Sequence, residues 1–136
     1  MGDMIRREVF DWLKEAEEEL KTSEQLHGLG RYAHSCFHAQ QAAEKALKAA
    51  ILYVKRTVHR SHDLLELYEE VKNTLKFSRA LEEGLPELSA YYTRSRYPNA
   101  SLRRPSTEIG KPQAERSLNV ARGVIKVVAR YITSKV

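Results

Sequence analysis

The chain has 136 residues, 42% of them hydrophobic and 30% charged, with a formal net charge of +5 and a single cysteine, Cys36. That length fits one domain, residues 1–136, burying roughly two thirds of its unfolded surface, and a lone cysteine excludes an internal disulfide framework. No run approaches the ~18 apolar residues of a membrane span and no apolar leader precedes Trp12, so the expectation is a soluble, cytoplasmic protein with no membrane partner.

Charge is spread unevenly. Residues 1–93 carry 13 Lys and Arg against 16 Asp and Glu, whereas residues 94–136 carry 10 against 2. A basic C-terminal third suits a polyanionic partner, and the competing reading is a solvated helix face with a basic loop.

In chain order, Val9, Trp12, Leu13, Ala16 and Leu20 recur at helical spacing after a possible cap at Asp3, with Glu15, Glu17, Glu18 and Glu19 mostly on the other side. Gly28 and Gly30 stop this amphipathic helix, and the short connection predicts an antiparallel second one. Over residues 31–55, Ala39, Ala42, Ala43, Ala46, Ala49 and Ala50 line one face. Cys36, Phe37, Leu47, Ile51 and Val54 widen the apolar arc, which predicts the central helix of a bundle with Cys36 buried as a small hydrophobe.

Ser61 offers an N-cap for a third helix of about four turns through Leu64, Leu67, Tyr68, Val71 and Leu75. A fourth helix is expected to start near Pro86, to bury Leu88, Tyr91 and Tyr92, and to end at about Arg96, because Pro98 biases Tyr97 away from helical angles. Residues 97–110, YPNASLRRPSTEIG, read as the one long loop. Beyond Pro112 the positions Ala114, Leu118, Ala121, Ile125, Val128 and Ile132 step by 4, 3, 4, 3 and 4, a strong helix signal. Val120, Val124, Val127 and Tyr131 form a second stripe, so this helix is either sandwiched or meets another subunit. The fold class is therefore all-α, an up-and-down bundle of four to five helices.

The run F-H-A-Q-Q-A-A-E-K-A-L-K-A over residues 37–49, then His62 and Leu64, then Arg96, Tyr97 and Pro98 before an alanine-spaced last helix, resembles the small prokaryotic HEPN (higher eukaryotes and prokaryotes nucleotide-binding) domain proteins. The resemblance covers nearly the whole chain. It implies a helical bundle that is commonly a homodimer with a basic cleft, often paired with a minimal nucleotidyltransferase in a two-component or toxin–antitoxin module. Many relatives are metal-independent ribonucleases whose motif is an Arg followed, after four to six residues, by a His.

That motif is absent where the resemblance places it: Arg94 and Arg96 are followed through Arg103 by no His. Arginine, with a pKa above about 12, does not exchange protons near neutral pH, so no catalytic residue is assigned and a non-standard Arg/His ribonuclease stands as the alternative. Arg31 with His38 and Arg56 with His62 match the spacing alone, as so many Arg and His readily do by chance. His34 and His38 stand at i, i+4, which can bind zinc, but neither a third ligand nor the H-E-x-x-H order accompanies them, so no metal is expected. His62, before Leu64, reads as structural. With no phosphate-binding loop, dinucleotide fingerprint or cysteine cluster, no cofactor is expected either.

The remaining candidate is the basic loop. Arg94, Arg96, Arg103, Arg104 and Lys111 fall within 18 residues, with Tyr92, Tyr97 and Asn99 interleaved, so guanidinium forks for phosphate lie near aromatic surfaces for bases. Lys111 and Pro112 open a helix whose free N–H groups suit a phosphate, and His38 is added as a contact from the run that carries the resemblance. The expected function is binding of nucleotide or RNA phosphate. Two alternatives stay open: Arg96 and Tyr97 lock the loop to the bundle, or the arginines face an acidic protein in a purely structural dimer.

Overall fold

The computed structural model describes residues 2–98 and 103–134, and every regular element in that range is helical. The elements are α1 (Asp3–Gly28), α2 (Tyr32–Lys55), α3 (Leu64–Glu69), α4 (Arg79–Arg94), α5 (Pro105–Glu108) and α6 (Lys111–Ser134). Four are long and two are short turns of helix in the connections.

Helix α2 touches each of the five others. Its alanines explain how. Ala39, Ala42, Ala43, Ala46, Ala49 and Ala50 are all fully buried, so neighbouring backbones approach closely on that side. Leu47 and Ile51, also fully buried, supply the volume the alanines lack, each contributing about 1.5–3 kcal/mol of apolar burial.

Helices α1 and α2 are antiparallel, as the partners across them show: Ser23 meets Ser35, Glu19 meets His38 and Lys45, and Lys48 lies over Trp12. The turn between them places Gly30 at φ +73°, a left-handed angle that glycine adopts without strain. Phe37 meets Tyr92, so α4 runs back along α2. Val120 packs on Gly84 and Gly123 on Leu81, so α6 runs back along α4. The order is up, down, up, down. Parallel helices in such a bundle usually sit across the diagonal, yet α2 and α6 touch directly, with Cys36 beside Ser117 and Tyr53 beside Tyr131. Small side chains permit that contact. The α4–α6 contact is equally tight: a Cβ at Gly84 would stand 2.5 Å from a Val120 methyl, and one at Gly123 would stand 2.9 Å from a Leu81 methyl.

Four expectations need correction. The third helix lasts only six residues, and its cap is Asp63, which accepts from Leu65 N, while Ser61 accepts from Asp63 N. Val71 and Leu75 are buried as expected, but the backbone there forms turns with Val71 N on Tyr68 O and Thr74 N on Val71 O. Asn73 and Thr74 are weak helix formers, and the chain doubles back so that Phe77 stacks on Tyr68 at 4.3 Å. Helix α4 starts at Arg79, capped by Ser78, well before Pro86. Pro86 sits inside it because Pro86 and Glu82 are both exposed, leaving the carbonyl that the ring deprives of a partner open to water. That helix ends at Arg94, close to the expected Arg96, but the supposed loop contains the four-residue α5.

Candidate nucleic-acid interface

One surface gathers rings and a guanidinium from three parts of the chain. Phe37 comes from α2, Tyr92 from α4, Arg96 and Tyr97 from the turn after α4, and His62 from the segment before α3. The Arg96 guanidinium carbon lies 4.5 Å from the Phe37 ring centre, 4.6 Å from Tyr92 and 4.9 Å from Tyr97. Its Nε donates to the Tyr92 carbonyl at 2.8 Å, and no carboxylate among the described residues pairs with it. The flat face is thus held by rings while the terminal N–H groups keep no acidic partner. His62 stacks on Tyr92 at 4.2 Å and 11°, and beside them opens a shallow groove of about 510 Å³ that also involves Asp63, Pro86 and Ser89.

Beneath the rings lies a buried carboxylate. Glu44 accepts from Gln40 and Gln41 on one oxygen and from Lys48, at 2.9 Å, and His62 Nδ1, at 3.0 Å, on the other. The Glu44 and Lys48 side chains are 5% and 8% exposed. Gln40 also donates to the His62 carbonyl at 3.0 Å, which ties the loop to α2. An ionised carboxylate only accepts, so Nδ1 is the donor in the His62–Glu44 contact and Nε2 is the ring nitrogen turned away from Glu44. The His62 side chain is 49% exposed, so that nitrogen is not sealed in the core.

The sequence-derived site is only partly brought together. Arg96 and Tyr97 join this surface, and His38 reaches its edge through an edge-on contact with Phe37 at 5.3 Å while its Nδ1 binds Glu19 at 2.7 Å. Glu19 also accepts from Lys45; burial opposes its ionisation, but these two partners outweigh that and hold the carboxyl below its ordinary range. Arg94 turns elsewhere, over Tyr91 and near Glu87, with its Nε buried and unbonded. Lys111 stands 3.9 Å from Glu115 at the start of α6. Arg103 and Arg104 are exposed before α5 with no side-chain acid partner among the described residues, while the Arg104 backbone N–H donates to Glu108. Asn99 lies outside the described residues. Arg96 does anchor the turn, as one alternative held, and its packing does not use up its charge.

Phe37, His62, Gln40 and Glu44 were missed as site residues. The signal for Phe37, Gln40 and Glu44 was present in the non-alanine positions of residues 37–49, which packing of small residues does not require, while His62 was read as structural. Cys36 is buried as expected; burial pushes its thiol up to about 11, and Ser117 donates to the sulfur at 3.4 Å. Among the described residues no group of three or more His, Cys, Asp or Glu is arranged to hold a metal ion, and no helix is long and apolar enough to cross a membrane.

The model of the HEPN domain matches residues 9–131. This chain belongs to the HEPN family. A relative from Methanocaldococcus jannaschii, named "Putative toxin MJ1304", is 28% identical over 134 residues, covering 91% of this chain and 88% of the relative. Among solved structures, TT1696 from Thermus thermophilus is similar at 32% identity and a TM-score of 0.83, over 90% of this chain and 97% of that one. ST0689, described as an archaeal HEPN homologue, is similar at 27% identity and a TM-score of 0.75, over 91% and 97% of the two chains. In this HEPN protein Gln40, Gln41, Glu44 and Lys48 of the run over 37–49 therefore have a physical role: they build the carboxylate network that holds His62, which stacks on the Tyr92 ring that Arg96 covers.

Proposed function

We propose that this HEPN protein binds the phosphate of a nucleotide or RNA at the surface around Arg96, with Arg103 and Arg104 adding charge and Tyr97 offering a ring to a base. The observation that carries the reading is an arginine stacked among three rings with no acidic partner among the described residues, since a preorganised guanidinium beside aromatic faces suits a nucleic-acid strand. The name of the Methanocaldococcus relative supports a toxin-like role; a two-component module with a minimal nucleotidyltransferase as partner, and a homodimer as the assembled form, are what the family resemblance adds to this proposal.

A second reading is favoured by one specific geometry. His62, with Nδ1 held by buried Glu44 and its ring stacked on the Tyr92 ring that Arg96 also covers, has the arrangement of a general base, which makes metal-independent RNA cleavage through His62 the alternative. One experiment separates the two. Labelled single-stranded RNA is incubated with the protein in chelator, and both the gel shift and the fragments are read. Binding alone predicts a salt-sensitive shift with intact RNA, weakened about tenfold in Arg96→Ala. Cleavage predicts fragments that vanish in His62→Ala. No shift and no fragments in wild type would refute both.

A further inference from the structure

The far side of α4 and α6 carries a second surface that the Arg96 site does not use. Between the start of α4 and the C-terminal half of α6 runs an open groove of about 530 Å³ whose floor is Leu81, Val120, Gly123 and Val127. Lys76, Lys126 and Arg130 stand along it, and no acid among the described residues lines it. Most cations elsewhere on α6 are matched: Arg116 grips Glu87 at 2.9 Å, Arg122 reaches Glu24 at 2.8 Å and Lys111 faces Glu115. On α4 the nearby acids are engaged too, Glu83 by Arg79 and Glu82 by Tyr68. Lys76, Lys126 and Arg130 have no acidic partner among the described residues.

We infer that this groove docks an acidic amphipathic helix of a partner protein. The floor consists of aliphatic side chains without an aromatic ring, which suits leucine-like side chains and gives nucleobases nothing to stack on. The rim selects carboxylates on both flanks of such a helix. A second copy of this chain does not fit by two-fold pairing, because an isologous contact would bring the three cations of one molecule onto those of the other. The glycines at the α4–α6 contact keep the floor low: Gly123 admits the Leu81 methyl and Gly84 admits Val120.

The test uses the full chain and a labelled helical peptide of about five turns with leucines at i, i+3, i+4 and i+7 and glutamates on both flanks. Its control carries lysines in place of the glutamates. The variant is K126E/R130E, whose altered side chains are exposed and unpaired, with folding checked by far-UV circular dichroism. Expected are binding of the glutamate peptide by wild type, at least tenfold weaker binding by the variant, and none of the lysine peptide. RNA affinity and solution mass stay the same in the variant. The inference is overturned if the glutamate peptide does not bind or binds both proteins equally. It is equally overturned if the variant loses RNA affinity, which would make the groove a nucleic-acid face, or if the variant changes solution mass, which would make it a contact between copies.

Discussion

Replacing Glu44 with Ala removes the acceptor on which Gln40, Gln41, Lys48 and His62 converge. The chief loss is electrostatic: Lys48, 8% exposed in its side chain, would keep its charge without a counter-ion. Breaking a buried pair from one side costs about 3–5 kcal/mol. Lys48 retains one favourable contact, the Trp12 ring at 5.9 Å, which offsets on the order of 1 kcal/mol and places the expected cost near 3 kcal/mol. Against a typical domain stability of about 5–15 kcal/mol this is a large fraction. The assay is equilibrium urea unfolding followed by far-UV circular dichroism, on Glu44→Ala, Lys48→Met and the double variant. Because Lys48→Met removes the stranded charge, the double variant is expected to recover at least ~1.5 kcal/mol relative to the sum of the singles. A cost under about 1 kcal/mol for Glu44→Ala, or additive singles, would refute the claim that the network is held by a desolvated ion pair.

Arg96→Ala is expected to weaken RNA binding about tenfold and to lower the salt slope by about one, whereas Arg96→Lys keeps the slope but loses part of the affinity with the flat stacking face; filter binding across a salt series reads both. Glu19 has a folded-state pKa below its ordinary 4.5, so its stabilising contribution is complete above that value and is lost as pH falls through the folded one. Thermal melts between roughly pH 5 and 3 should therefore show a shallower decline in Glu19→Gln than in wild type, and equal slopes would count against the His38–Glu19–Lys45 cluster. Cys36, fully buried with its thiol pushed up to about 11, should resist a disulfide reagent in the native protein and react at once in denaturant. Rapid native labelling would mean that the α2–α6 contact opens readily.

Periodicity alone located α1, α2 and α6, because an apolar stripe at 3.6-residue spacing has few other ways to be buried. The alanine face marked α2 as the helix that the others surround, and the unpatterned stretch around Gly28 and Gly30 marked the first turn. Local signals misled where tertiary contacts outweighed them. Pro86 looked like a helix start, yet Ser78 caps an earlier one and the exposed face tolerates the ring; Val71 and Leu75 kept their burial while the backbone turned to bring Phe77 onto Tyr68.

The site divides along the same line. Sequence by itself determined that the C-terminal third is basic, that no His follows Arg94 or Arg96 at the ribonuclease spacing, and that the polar residues of the run over 37–49 exceed what packing needs. Only the tertiary structure decided that Arg96 sits among Phe37, Tyr92 and Tyr97 while Arg94, two residues earlier, points to Tyr91 and Glu87. It also decided that His62 is held by Glu44 across 18 residues of chain. Charge adds along a sequence regardless of direction, but a phosphate responds to where each guanidinium points and to what already neutralises it, and those are properties of the packed helices.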